Sequence, residues 1–184
     1  MVTNSKGFTL LELMIIITIV GISMAMAAPG LRSMIANNQI SSSASDFASA
    51  LQLAKAEAVA RVNSVVICKK NSDSTGCIAS GDWSQGWIVF SDDNGDGSVA
   101  ADSSETVLLV HEALHERITF GGEDGVNELI TFRPAGTSSV DGTKVLTICD
   151  ERGLEYSSRA IRVTITGRGS VMKATDIAGL TACI

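Results

Sequence analysis

The chain has 184 residues, of which 45% are hydrophobic, 18% charged and only 4% aromatic. This composition excludes a disordered or collagen-like chain, and the length suits one domain of about 100 to 200 residues. The formal net charge of -6 argues against broad nucleic-acid binding, which requires clustered cations, and so few rings make a poor platform for stacking single strands.

A continuous apolar run near the N-terminus predicts a membrane-spanning helix. Residues 8–28 read FTLLELMIIITIVGISMAMAA and contain a single charge, Glu12, and a helix needs about 20 apolar residues to cross a bilayer. The leader before it carries one cation, Lys6, which keeps that end cytoplasmic and places the rest of the chain on the far side. Small residues at the end of the run leave an ordinary cleavable signal peptide as the alternative.

Glu12 separates these two interpretations. A carboxylate inside an apolar helix is costly without a partner, and a discarded signal has no need of one. The string GFTLLEL, from Gly7 to Leu13, resembles the leader junction of type IV prepilins, whose peptidase cuts after the glycine. The resemblance implies cleavage between Gly7 and Phe8, methylation of Phe8, and retention of the helix on the mature protein.

The same resemblance gives Glu12 a role in assembly. The new ammonium at Phe8 lies about one helical turn from Glu12, so the carboxylate of one subunit can neutralise the ammonium of its neighbour and set the register of packed helices. The alternative is an incidental carboxylate that reaches the membrane interface.

Beyond the apolar run the pattern predicts a continuing amphipathic helix. Pro29 and Gly30 predict a kink rather than an end. After Leu31, apolar residues recur at spacings of three and four, which predicts one helix from Thr9 to about Val62. The recurring residues are Ala44, Phe47, Ala48, Leu51, Ala54 and Ala58.

The rest of the chain reads as short strands separated by turn signals. The predicted strands are 64–69, 86–91, 105–110, 117–120, 129–132, 145–149 and 162–166. The predicted class is α+β, pilin-like, with a long N-terminal helix, first transmembrane and then amphipathic, packed on an antiparallel β-sheet head. The predicted organisation is a leader peptide at 1–7, a transmembrane or filament-core helix at 8–30, an amphipathic helix at 31–63 and a β-rich head at 64–184.

Four cysteines lie in the part predicted to be exported, where disulfides form. Several pairings are compatible with four cysteines, and the least entangled one joins Cys68 to Cys77 and Cys149 to Cys183. Each disulfide would contribute about 2 to 4 kcal/mol. A zinc site is the alternative, but the sequence lacks a C-x-x-C pair to support it.

Two short motifs raise the question of metal chemistry. His111 to His115 matches H-E-x-x-H, which holds zinc when it is helical, but its flanks read as strands. Asp92, Asn94 and Asp96 open a D-x-N-x-D-G calcium loop that lacks the closing Glu. We therefore favour a polar connection with local Asp and Asn turns, keep calcium as the alternative, and predict no catalytic residue.

The string around the second motif, DWSQGWIVFSDDNGDG from Asp82 to Gly97, resembles the signature of minor pilins and pseudopilins related to FimT, FimU and GspH. In that light the D-x-N-x-D-G segment is part of the family pattern, and VLLVHEAL looks like the next strand. The large rings of Trp83 and Trp87 are predicted to pack in the core or at a subunit interface.

Charge is unevenly distributed along the predicted head. Residues 82–124 carry an excess of acids and residues 152–173 an excess of cations, either of which can dock a complementary neighbour. DNA-binding minor pilins of the FimT kind carry G-R-x-R in a flexible loop, and the matching segment 167–170 reads GRGS without the second arginine. The DNA-binding hypothesis rests on Arg159, Arg162, Arg168 and Lys173.

The resemblance implies a structural minor pilin that helps to initiate or cap a type IV pilus. It implies a single-pass protein of the inner membrane with its head in the periplasm, which later enters a pilus or pseudopilus. Its partners would be other minor pilins, the major pilin and the prepilin peptidase. A pseudopilin of a type II secretion system and a DNA-binding minor pilin for natural transformation are the alternatives.

Overall fold

The structure, a computed structural model, describes residues 7–74, 76–99 and 105–184, without the side chain of residue 29. The predicted leader peptide at 1–7 therefore lies almost entirely outside the described residues. The chain forms two compact units, Met1–Asn37 and Asn38–Ile184. Its elements in order are α1 (Leu10–Arg61), β1 (Ser64–Lys69), β2 (Trp87–Asp92), β3 (Val107–His111), β4 (Ile118–Gly122), β5 (Leu129–Phe132), β6 (Thr143–Asp150), α2 (Leu154–Ser157), β7 (Arg159–Thr164) and β8 (Gly169–Lys173).

Helix α1 has 52 residues and is helical through the Pro29–Gly30 pair. Thr9 lies just before its first residue, and its hydroxyl accepts a hydrogen bond of 3.2 Å from the backbone N–H of Glu12. This bond satisfies one of the donors left free at a helix start. The sequence therefore placed the start of the helix within one residue, whereas the predicted kink remains a prediction.

The C-terminal end of α1 has an unusual cap. Val62 follows the last helical residue with a positive φ of 55°, and the N–H of Asn63 bonds to the carbonyl of Ala58 at 3.2 Å. This is the Schellman arrangement, in which the left-handed position normally holds glycine. A β-branched residue is strained in that conformation, and the Val62 side chain is 75% exposed, so packing within the described part of the head offers little compensation.

Replacing Val62 with glycine is expected to stabilise the protein by about 1 kcal/mol, because the relief of strain exceeds the added entropy of the unfolded chain. Val59→Gly, one turn earlier and inside the helix, is the matched control and should destabilise by about 1 kcal/mol. Urea unfolding of both variants measures the difference. A loss of stability in Val62→Gly would show that the valine side chain makes a contact worth more than its strain.

The strands form two sheets, so the predicted antiparallel β-sheet head is confirmed and consists of two four-stranded sheets. The first sheet has the order β3-β2-β1-β5 and the second the order β4-β6-β7-β8. Every pairing is antiparallel. The sequence did not assign strands to either sheet, because local patterns identify strands but carry no information about which strands share a sheet.

Strand bounds also differ from the prediction in places. β1 and β5 match the predicted segments, whereas β6 and β7 begin earlier than predicted and β3 begins later. The sequence analysis missed β8 altogether, along with the single-turn helix α2. β8 starts at Gly169 and mixes glycine, serine and lysine with its apolar residues, so it lacks the pattern of a buried strand.

The core lies between the second half of α1 and the inner faces of the sheets. Phe47 is fully buried at its centre, with ring centroids 5.0 Å from Trp83, 5.1 Å from Trp87 and 4.8 Å from Phe120. All three contacts are edge-to-face, the geometry that aromatic quadrupoles favour. The predicted alanine-rich stripe is buried too, with Ala44, Ala48, Ala54 and Ala58 each no more than 8% exposed.

Each sheet also has an apolar outer face that another segment covers. On the first sheet, Val66, Cys68, Ile88 and Phe90 pack beneath Cys77 and Val99. On the second, Val145 and Ala160 pack beneath the C-terminal segment through Ala174, Ile177 and Leu180. A disulfide attaches each covering segment to its sheet: Cys68–Cys77 on the first sheet and Cys149–Cys183 on the second. These are the pairings that the sequence analysis favoured.

Candidate functional site

The first candidate site is the start of α1. Gly7, Phe8 and Glu12 are all exposed, and Phe8 is 77% exposed. The helix is the one element in the described part of the chain that is long and apolar enough to cross a membrane, with a mean hydropathy of 2.3 over its most apolar window and none of that window buried. Its exposed large apolar side chains include Leu11, Leu13, Ile15, Ile17, Ile19, Val20, Ile22, Met24 and Met26.

This arrangement suits packing against apolar surroundings, with one exception. Glu12 projects a carboxylate from a surface whose other residues from 8 to 28 are uncharged and mostly apolar. Such a group needs a cationic partner or a protonated state when water is removed. Within Met1–Asn37, then, Glu12 is the residue that a partner of opposite charge would select.

The tryptophan-rich string forms a tight turn that seats two rings in the core. The Asp82 carboxylate accepts from the Ser84 N–H at 3.1 Å, and the Trp83 indole donates to the Val126 carbonyl at 3.0 Å. Gly86 has φ 96°, and a Cβ there would meet the His111 carbonyl oxygen at 2.3 Å, so only glycine fits. The resemblance to the minor pilin signature thus rests on residues that fix local structure.

The D-x-N-x-D-G segment folds as a compact polar loop after β2. The buried carboxylate of Asp92 accepts from the Gly95 N–H at 2.9 Å and from the Gly97 N–H at 3.2 Å. The Asn94 side-chain oxygen accepts from the Asp96 N–H at 2.8 Å. The segment therefore shows the local Asp and Asn turns that the sequence analysis favoured.

The same loop brings carboxylates together. Oxygens of Asp92, Asp96 and Glu105 lie within 4.8 Å of one another, and burial raises the pKa of Asp92, while hydrogen bonds from Ser98 lower that of Asp96. Oxygen ligands of this kind suit calcium. Residues 100–104, between Val99 and Glu105, lie outside the described residues. Calcium binding remains a prediction.

The H-E-x-x-H segment is not helical. His111 ends β3, residues 112–115 have no regular structure, and a turn follows at Glu116. The His111 ring stacks on Trp87 with centroids 3.8 Å apart, and its Nε2 lies 3.7 Å from the Asp46 carboxylate. Without the helix, the two imidazoles are not placed on one face, so the zincin geometry is absent from this segment.

Two lysines at the end of β1 carry buried charges that the sequence analysis missed. The Lys69 ammonium is fully buried and donates to the carbonyls of Ala79 and Gly81 at 2.8 and 3.0 Å, and burial lowers its pKa. Lys70 pairs with the exposed Glu112 at 2.8 Å and so lowers the pKa of that carboxyl. No sequence signal marks them, since a lysine pair at a strand end normally faces solvent.

The structure separates the basic residues of the DNA-binding hypothesis. Arg159 and Lys173 are directly opposite each other on β7 and β8. Successive residues of a strand point to opposite faces, so Arg162 lies on the other face of β7. Arg168 lies in the turn between the two strands. The four cations therefore form no single stripe along the sheet.

That turn is also fixed in place. The Gly167 N–H donates to the Thr164 carbonyl at 2.8 Å, and the Lys55 ammonium of α1 donates to the Thr166 carbonyl at 2.8 Å. A Cβ at Gly167 would meet the Gly136 carbonyl oxygen at 2.6 Å. Gly167 and Arg168 thus lie in a pinned hairpin turn and Gly169 and Ser170 begin β8, unlike the flexible loop that the resemblance implied.

Solved structures similar to this chain include the type IV minor pilin FimU of Pseudomonas aeruginosa in two crystal forms. The P21 form matches with a TM-score of 0.58 and 22% identity over 80% of this chain and 96% of that one. The P65 form matches with a TM-score of 0.56 and 21% identity over 78% and 99%. The minor pseudopilin EpsH of the Vibrio cholerae type 2 secretion system matches with a TM-score of 0.43 and 16% identity over 73% and 94%.

No curated protein matches the chain. Two family models do: the prokaryotic N-terminal methylation motif over residues 2–28 and the type II transport protein GspH over residues 43–169. The second covers well over half of the chain, and the likeness to FimU supports the same fold. The chain therefore belongs to the GspH family of minor pilins and pseudopilins, whose members are structural subunits and not enzymes.

Proposed function

We propose that this protein is a minor pilin that helps to initiate or cap type IV pilus assembly. The observation that carries the proposal is the exposed apolar surface of α1 with Glu12 as its single charge through residue 28. A surface of that kind is stable either in a bilayer or against other apolar helices. A subunit that moves from membrane to filament uses both environments in turn.

Processing prepares the helix for the second environment. A prepilin peptidase cuts between Gly7 and Phe8, and the new N-terminal Phe8 is methylated, as the matching methylation motif over residues 2–28 supports. The cut removes the leader with Lys6 and leaves an ammonium at the helix start. Gly7 and Phe8 are exposed and precede the first helical residue, so the peptide bond between them is accessible to a peptidase.

Assembly then follows from charge pairing. The Phe8 ammonium of a neighbouring subunit neutralises Glu12, so two charges that are costly in apolar surroundings enter together. The pair specifies the axial register, which apolar contacts specify poorly. The head, exported to the periplasm behind the single-pass helix, contacts other minor pilins and the major pilin through its acidic segment 82–124 or its basic segment 152–173.

A second candidate, a pseudopilin of a type II secretion system, is favoured by one observation: the matching family model carries the description of a type II transport protein. Both candidates share the processed helix and the head. They differ in which machine loses function when the protein is absent.

Deletion of the gene in its host distinguishes the candidates. A minor pilin that initiates assembly should, when deleted, reduce surface filaments counted by electron microscopy at least about tenfold, equivalent to about 1.4 kcal/mol in assembly. Secreted enzymes measured in the medium should stay unchanged. Complementation with the intact gene is the control. Loss of secretion with normal filaments would instead establish the pseudopilin, and no change in either would contradict both candidates.

A further inference from the structure

We propose that Asn94 is a site of spontaneous deamidation, in which the backbone nitrogen of Gly95 attacks the Asn94 side chain and the Asp92 carboxylate accepts the proton. This inference is independent of the role in assembly. It follows from how the loop after β2 places an electrophile, a nucleophile and a base next to one another.

The nucleophile is unhindered. Gly95 follows Asn94 directly, its φ is 78°, and a Cβ built on it would meet nothing within 4 Å. Asn94 and Gly95 are both exposed, so water reaches the site. A residue with a side chain at position 95 would crowd the approach of its nitrogen to the neighbouring side chain, whereas glycine leaves the path open.

The base is held in place by the sheet. Asp92 is the last residue of β2 and is only 3% exposed. Its Oδ1 accepts from the Gly95 N–H at 2.9 Å, so the proton that the attacking nitrogen must lose already points at a carboxylate. The buried carboxylate is therefore positioned as the general base for the Gly95 nitrogen.

The electrophile is polarised by the same loop. The Asn94 side-chain oxygen accepts from the Asp96 N–H at 2.8 Å, and its amide nitrogen donates to the Asp96 carboxylate at 2.9 Å. The first bond stabilises the negative charge that develops on the oxygen when nitrogen adds to the carbonyl carbon. The two bonds together hold the side chain in one orientation beside the backbone.

The reaction balances with water as the one co-reactant. A bond forms between the Gly95 nitrogen and the Asn94 side-chain carbonyl carbon, and the bond from that carbon to the amide nitrogen breaks. Ammonia leaves with the proton that Asp92 had accepted, and a cyclic imide remains. Water then opens the imide at either carbonyl and yields aspartate or isoaspartate at position 94.

The product alters the loop that covers the first sheet. A carboxylate at position 94 can no longer donate to Asp96, and the two negative charges repel each other. The loop continues to Gly97, whose built Cβ lies 3.5 Å from Leu129, and to Val99, which packs on the apolar outer face. Deamidation therefore weakens the packing of this loop, through Val99, on the outer face of the first sheet.

The test is an incubation of the purified full chain in detergent near neutral pH, followed by peptide mass spectrometry at intervals. Conversion of Asn94 is compared with that of Asn127, which is also exposed but is followed by Glu128. A synthetic peptide of residues 88–99 supplies the rate without the fold. We expect Asn94 to convert faster than Asn127 and at least about tenfold faster in the protein than in the peptide, since general-base catalysis contributes about 10²- to 10⁴-fold.

Asp92→Asn should remove the acceleration and bring the rate to that of the peptide. Asp93→Asn makes the same charge change one residue away, on a carboxylate that accepts from Asn63 at 2.7 Å, and should leave the rate unchanged. Tryptophan fluorescence confirms that each variant is folded. If Asp92→Asn disrupts the loop, the test compares the Asn94 conversion rate of the wild-type protein in its folded state with its rate after unfolding in urea. A native rate equal to or below that of the peptide would overturn the proposal, because the hydrogen bond would then shield the Gly95 nitrogen.

Discussion

Replacing Glu12 with alanine is expected to exclude the protein from filaments while leaving its head folded. In the proposed assembly the variant removes the anionic partner of a neighbouring Phe8 ammonium, and an unpaired charge in apolar surroundings costs about 3 to 5 kcal/mol. That cost corresponds to a loss of more than about 100-fold in incorporation. Immunoblots of sheared filaments, with the membrane fraction as reference, measure the effect.

Ser23→Ala is the matched control, since it also replaces a polar residue of the same exposed apolar helix. The Ser23 hydroxyl bonds only within the helix, to the Ile19 carbonyl at 2.8 Å, so its loss should leave incorporation unchanged. Glu12→Gln separates charge from shape and should fail as Glu12→Ala does. Normal incorporation of both Glu12 variants would contradict the proposed charge pairing. It would not affect the family assignment, which rests on residues 43–169.

Replacing Phe47 with alanine is expected to destabilise the head by about 3 to 5 kcal/mol, the usual cost of removing a buried aromatic side chain. Its ring contacts Trp83, Trp87 and Phe120, so the cavity would open where α1 meets both sheets. A domain of ordinary stability has about 5 to 15 kcal/mol in total. The variant should therefore unfold at a much lower urea concentration.

The two tryptophans of the chain both contact Phe47, so their fluorescence reports the transition directly. Ser49→Ala, an exposed position on the same helix, is the control and should shift stability by no more than about 0.5 kcal/mol. A change below about 1 kcal/mol in Phe47→Ala would mean that the surrounding rings close the cavity.

The fold was predictable where a signal is local. The helix was found within a residue at each end because its apolar run and the later three- and four-residue spacing are both long. β1 and β5 were found because their apolar residues are bounded by turns. The division into two sheets was not predictable, since it depends on pairings such as β1 with β5, which lie about 60 residues apart in the chain.

The candidate site divides in the same way. Glu12 stands out in the sequence because a charge within an apolar run is rare. The four cysteines left several pairings open, and the structure has the least entangled one, which the sequence analysis favoured. The burial of Lys69 was invisible, because the carbonyls that receive its ammonium belong to residues 79 and 81, on a loop that no pattern places there. Arg159 and Arg162 lie on opposite faces of β7, but the predicted strand began only at residue 162. The sequence therefore did not place the two arginines on one strand.

Because of the two disulfides, the covering of the apolar outer faces of both sheets depends on the redox state around the molecule. The segments that contain Cys77 and Cys183 lie over the apolar outer faces of the two sheets, each attached by its disulfide. Thiols stay reduced in the cytosol. In a copy that stays in the cytosol neither disulfide would form. Both covering segments could then detach and expose the apolar outer faces to chaperones and proteases. With the head exported as proposed above, oxidation would close both disulfides, so closed disulfides would identify copies whose head has left the cytosol.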